Sequence, residues 1–286
     1  MKLQREIRKV YRRLFLKPIP VFVMHQVGES MNPMVDRESD WSSFDLFKKN
    51  VDFLNENYHI VSLPQVHEML KRQRSRFKKY AVITFDDAYK SILPALQYLK
   101  GKHIPVTVFV NSAYLNGDSY SCVNVKTYLR YQNSQEPSAE IDGLINDIDS
   151  LWDVSGEDYR IKMEKCLGCI DMSPLLDDLY IDKPTLFSLD YESITIGMHG
   201  HEHFHSSNLL EADFRANVEN NVNALKSHKR YIPYFAYPWG MHNAFTDRFL
   251  KSSGLVPVLC DGACNYRFRE TISRMPVDGM TLEKDN

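Results

Sequence analysis

Short, uniformly apolar runs alternate with longer amphipathic stretches along this chain, and that alternation restricts the fold more than any other feature. The runs VFVMH (21–25), YAVITF (80–85), PVTVFV (105–110), SITIG (193–197), YFAYP (234–238) and VPVLC (256–260) are too short for buried helices. They are also too uniformly apolar for strands with one wet face, so they read as strands buried on both sides. HIVSL (59–63) and TISRMPV (271–277) complete the series. Between them, Phe44, Phe47, Val51 and Leu54 recur at helical spacing, and PQVHEMLKRQR, SILPALQYLKGKHI, EADFRANVENNVNALKSH and AFTDRFLKSSG follow later strands in the same way. Buried strands each followed by a helix make a parallel sheet. The expected fold is α/β, a distorted (β/α)7-type barrel forming a single domain over residues 18–286.

Residues 113–190 interrupt the alternation. They are polar, with scattered helical pattern in EIDGLINDIDSLW and YRIKMEKCLGCI, and are expected to form a helical insertion or lid. Residues 1–17 form a separate unit. Leu3, Ile7, Val10 and Leu14 share one face of a helix, with Lys2, Arg5, Arg8, Lys9, Arg12, Arg13 and Lys17 around them. Such a helix suits an anionic membrane surface or a partner, and packs equally well across the end of the domain with its basic face in water. The cluster KRQRSRFKK at 71–79 allows the same two readings.

A formal net charge of −2 supplies no field to gather phosphates, so nucleic acid is not an expected partner. No apolar run reaches membrane-spanning length, and the basic N-terminus lacks the apolar core of a signal peptide. The five cysteines form no framework: Cys166 and Cys169 lie far from Cys260 and Cys264 and are spaced differently, which fits free thiols. A reducing, cytoplasmic setting is expected, with peripheral contact at the inner face of the membrane as an option.

In parallel α/β folds the site forms at the C-terminal ends of the strands. His25, Asp86, Asp87, His199, Trp239 and Asp261 all sit at or just past such ends. In TFDD, Asp86 and Asp87 follow a buried strand. Two carboxylates held together repel unless a cation neutralises one, so a metal would let one ligate while the other serves as a base. A plain helix N-cap before AYKSILPAL is the competing explanation. HGHEHFH places His199, His201, His203 and His205 at alternate positions. Imidazoles four apart meet on one face of a helical turn, a spacing common in zinc sites, but two registers compete: His199 with His203, or His201 with His205.

Taken in order, these pieces resemble the NodB-homology polysaccharide deacetylases, the fourth carbohydrate esterase family. Thr84 to Asp87 match the family's first motif, T-F-D-D. HGHEH matches its second, H-[ST]-x-x-H, and FAYPWG (235–240) its third. PVFVMHQVG, HIVSLPQV, HIPVTVFVNSAYL and SRMPVDG extend the likeness over roughly residues 18–280. The resemblance selects His199 and His203, with Asp87, as ligands of a divalent metal, commonly zinc. It implies Asp86 as the base that deprotonates the attacking water. It further implies the backbone N–H of Trp239 as a donor to the tetrahedral oxyanion, and an N- or O-acetylated saccharide as substrate.

The chain departs from the pattern at four places. Ala88 replaces the glycine after the aspartates, and Gly200 the Ser or Thr of the second motif. Ala236 stands where an arginine orients the base, which makes Arg274 the candidate for that task. No late L-x-H histidine is present, so His25 is the expected general acid, with His242 and His205 as rivals. Tyr237, Pro238, His205 and Arg274 are expected near the substrate, with Tyr237 and Trp239 able to stack on a sugar ring. The leading expectation is a metal-dependent deacetylase acting on an amino-sugar-containing saccharide or lipid-linked sugar. The alternatives are another amide hydrolase on the same scaffold, such as a sugar deformylase, and a saccharide-binding homologue that has lost turnover.

Overall fold

The period-two alternation of side-chain direction along strands buried on both faces decides what fills the interior and what meets the helices. In the computed structural model, which describes residues 17–29, 32–35, 41–72, 78–116, 120–149, 161, 163–165, 168 and 179–283, the core strands are β1 (Val21–Met24), β5 (Tyr80–Phe85), β6 (Val106–Val110), β7 (Ile194–Met198), β8 (Tyr231–Ala236), β9 (Val256–Val258) and β10 (Met275–Pro276). They pair in parallel in the order β10-β1-β5-β6-β7-β8-β9, and β4 (His59–Ile60) adds to β5. A short parallel pair, β2 (Gln26–Val27) with β3 (Trp41–Ser42), stands outside this sheet.

One face of the curled sheet carries Phe22, Met24, Ile83, Phe85, Val108, Ile196 and Phe235. It packs on α1 (Phe44–Asn57), α3 (Leu93–Gly101), α7 (Glu211–Leu225) and α8 (Ala244–Ser252) through residues such as Val51, Leu96, Phe214 and Leu250. The other face carries Val21, Val82, Phe109, Ala236 and Val258 and is covered at one end by α2 (Leu63–Lys71). The fold is the expected distorted (β/α)7-type barrel. It differs from expectation at HIVSL, which yields a two-residue strand because α2 begins at Leu63, under a capping box from Ser62 and Gln65.

Between β6 and β7 lie α4 (Cys122–Gln135), α5 (Ala139–Asp149) and α6 (Lys183–Ser188). The first two share a separate apolar cluster, in which Val125, Leu129, Leu144 and Ile148 meet Tyr89, Tyr114 and Tyr180. Residues 2–16 of the expected basic helix lie outside the described residues, as do 73–77 of the second basic cluster and the pair Cys166 and Cys169. Among the described residues, Cys122, Cys260 and Cys264 form no disulfide. Among the described residues, no helix is long and apolar enough to cross a membrane.

Candidate active site

The alternation that builds β5 carries Thr84 and then Asp86 on the same face as Val82. Asp87 would point away if the strand continued. It does not: Asp87 (φ 65) and Ala88 (φ 55) are both left-handed, and the Ala88 N–H closes a tight turn onto the Asp86 carbonyl at 2.8 Å. That reversal swings Asp87 back beside Asp86. Both carboxylates are buried.

His199 follows β7 directly, and its backbone N–H donates to Val110 O at 3.0 Å. The sequence suggested a helical turn for the second motif, but residues 199–205 form an irregular loop. The loop is shaped by asparagines instead. Asn111 Nδ2 donates to the His199 carbonyl at 2.5 Å, and Asn217 Oδ1 accepts from the His201 N–H at 2.9 Å. Gly200 takes φ 84, and a Cβ there would lie 2.9 Å from both Asn217 Oδ1 and Glu202 O, which explains why no Ser or Thr occupies this place. The His203 N–H donates to the Tyr114 hydroxyl at 3.1 Å. This fold-back brings His199 Nε2 to 3.5 Å and His203 Nε2 to 3.4 Å from Asp87 Oδ1.

Asp86 is gripped from the other side. Arg274, fully buried, donates Nη1 to Oδ1 at 2.6 Å and Nη2 to Oδ2 at 2.7 Å. Its guanidinium rests 5.0 Å from the centre of the Phe109 ring, and that ring occupies space left by Gly197, where a Cβ would lie 2.6 Å from ring carbons. Burial alone would raise the Asp86 pKa. The Arg274 charge reverses this, and the carboxyl is held well below its ordinary range. Burial lowers His199 to about 4 and His203 well below its usual value, so both imidazoles are neutral at pH 7. His199 Nδ1 faces the Ala236 carbonyl at 2.9 Å. A carbonyl only accepts, so Nδ1 carries the proton and the Nε2 lone pair faces Asp87.

His25 lies across the cavity, past the end of β1. Asp278 accepts from its backbone N–H at 2.9 Å and pairs with its Nδ1 at 2.8 Å, which turns Nε2 away from that carboxylate. Sequence reasoning did not single out Asp278, although it lies two residues beyond β10 and passes the strand-end filter. Tyr114, Asn111 and Asn217 also escaped it, because a residue that acts through a backbone contact leaves no spacing signal.

A cavity of 410 Å³ brings His25, Asp86, Asp87, His199, His203 and Trp239 together, with Tyr237 and Arg274 in its lining. Trp239 is left-handed (φ 59) and its ring meets both His203 and His205 edge-on. Tyr237 is buried and donates its hydroxyl to Asp247 at 2.9 Å, while Pro238 is buried behind it. His242 pairs with Asp247, His201 Nδ1 with Ser112 Oγ, and Asp261 accepts from Ser273. Those three side chains, together with Pro238 and His205, lie outside the cavity lining.

The donor set suits a divalent cation. One ligand atom each from Asp87, His199 and His203 lies within 4.8 Å of the others. Ligands about 2.0–2.1 Å from a tetrahedral ion lie about 3.4 Å apart, and the two contacts to Asp87 Oδ1, 3.5 and 3.4 Å, match that edge. Two neutral imidazoles and one carboxylate also leave room for a water or a substrate oxygen.

A family model described as polysaccharide deacetylase matches residues 73–258, more than half of the chain. No curated protein matches it significantly in sequence. Among solved structures it is similar to a de-N-acetylase from Aggregatibacter actinomycetemcomitans, with TM-score 0.60 and 14% identity over 92% of this chain and 95% of that one. It is also similar to the Streptococcus pyogenes deacetylase PplD in complex with acetate, with TM-score 0.58 and 13% identity over 92% and 93%. IcaB from Ammonifex degensii gives TM-score 0.56 and 18% identity over the same shares. At these identities the likeness is one of fold.

Proposed function

The chain belongs to the polysaccharide deacetylase family, and from that premise we propose that it hydrolyses the acetyl group of an amino-sugar-containing saccharide. In this reading Asp87, His199 and His203 hold a divalent cation, zinc being the ion their chemistry suits best. The observation that carries it is the convergence of those three ligand atoms beside an Asp86 that Arg274 keeps ionised. A cation bound there would polarise the acyl oxygen and acidify water enough for a weak carboxylate base to take its proton.

Each residue then has a defined task. Asp86 accepts the proton of the attacking water, and Arg274 fixes both of its oxygens. The Trp239 backbone, set in its left-handed turn between Pro238 and Gly240, presents its N–H to the oxyanion. His25, steadied by Asp278, gives a proton to the leaving amine as the C–N bond breaks. In this reading His25 and Arg274 stand in for the missing late histidine and motif-three arginine, which favours a working enzyme over a binding homologue.

The test is acetate release from acetylated amino sugars by protein stripped of metal and then titrated with zinc. Activity should rise to a plateau at one equivalent. Asp86→Asn should bind the metal and release no acetate, and a variant that remains active would remove Asp86 from the role of base.

A further inference from the structure

We propose that the site is one-sided: Tyr114, Asn124 and Tyr180, which lie between β6 and β7, wall off the Asp87 flank of the cavity together with Tyr89, so the substrate is a terminal or single acetylated amino-sugar ring and not an internal unit of a long polymer. This deepens the deacetylase reading and rests on it.

An internal unit can reach a catalytic centre only along a groove open on both sides, because its neighbours must leave in opposite directions. Here one direction is occupied. Tyr180, just ahead of α6 in the inter-strand segment, bridges to Tyr89, and the Ile181 N–H donates to the Ala88 carbonyl at 2.9 Å. The segment is therefore pinned to the residues immediately after Asp87. The Tyr180 ring stacks on Tyr89 at 5.4 Å and on Tyr114 at 4.7 Å, and the Tyr114 hydroxyl in turn accepts from the His203 N–H at 3.1 Å, which ties the wall to the loop that carries His203.

Asn124 of α4 ties the wall together. Its Oδ1 accepts from the Tyr180 hydroxyl, and its Nδ2 donates to Met34 O at 2.8 Å and to the Tyr89 hydroxyl at 3.1 Å. Segments following β1, β5 and β6 thus meet on one buried amide whose hydrogen-bonding capacity is spent inside the wall. Tyr89, Asn124 and Tyr180 line the same cavity as Asp87 and His203, and all three are buried. The rim at Trp239 and Met280 is different in kind. Trp239 and Met280 line the cavity too, but are 42% and 57% exposed. Whatever is joined to the reacting sugar leaves across that open rim. The volume agrees: 410 Å³ lies near the small end of ligand pockets, which run from about 300 to 1,000 Å³.

The test uses the zinc-loaded full chain and chito-oligosaccharides of one to six N-acetylglucosamine units, with the deacetylated unit located by tandem mass spectrometry. Deacetylation should fall on one terminal unit alone, and kcat/KM should stop rising once the second unit is present. Tyr180→Ala, checked for folding by circular dichroism, should begin to release acetate from internal units. Internal deacetylation by the unaltered protein, or kcat/KM climbing through to the hexamer, would overturn the one-sided site while leaving the deacetylase reading intact. Acetate from none of the oligomers would overturn the deacetylase reading, and the one-sided site with it.

Discussion

At the scale of single residues, the Asp86–Arg274 pair sets the charge state of the proposed base. Both groups are buried, so each depends on the other, and breaking such a pair costs about 3–5 kcal/mol. Arg274→Lys keeps a charge and loses the fork. With less to offset burial, the Asp86 carboxyl should rise, and the acid limb of kcat/KM against pH should move to higher pH. An unmoved limb would show that Arg274 does not set the base. His25 permits a separate test. A leaving amine needs a proton and a nitrophenolate does not, so His25→Gln should cut amide deacetylation by about 10²-fold or more and barely affect 4-nitrophenyl acetate. Equal losses on both substrates would assign His25 a structural role.

At the scale of elements, the loop after β7 holds two cavity histidines without helical structure, by asparagine contacts, one glycine and one tyrosine. Gly200→Ser restores the residue usual in the resembling family but forces a Cβ into a left-handed position 2.9 Å from two oxygens. It should cost about 1–3 kcal/mol, read as a lowered Tm of the metal-free protein. An unchanged Tm would mean that the loop relaxes freely. Tyr114 contributes through its hydroxyl, which accepts from the His203 N–H. Tyr114→Phe keeps the ring packed, so the fold should persist while zinc affinity falls about tenfold, measured by titration calorimetry on stripped protein. Undiminished affinity would remove Tyr114 from the task of placing His203.

At the scale of the whole molecule, stability should depend on pH through a group far from the cavity. His67 on α2 is buried, pairs through Nδ1 with the Tyr234 hydroxyl at 2.9 Å and stacks on Phe268. Burial lowers its pKa below 6.5, with Lys71 adding to the effect. A histidine harder to protonate when folded leaves the unfolded chain binding more protons, so stability should fall as pH drops through about 6.5 toward the folded value. His67→Gln should flatten that slope in denaturant melts across pH 5–7, and an unchanged slope would place the dependence elsewhere. The parallel α/β architecture follows from the order of residues, because strands buried on both faces and followed by helices have few other ways to bury their apolar surface. That order also determined where to look, since strand ends are where such sheets expose chemistry, and Asp86, Asp87, His199 and His25 all lie there. The tertiary structure alone decided how those residues meet. Left-handed turns at Asp87 and Gly200, the closing of Arg274 over Phe109, and Asp278 behind His25 depend on contacts between residues distant along the chain. Local periodicity encodes which face a side chain occupies, but not which partner from another strand will be waiting there.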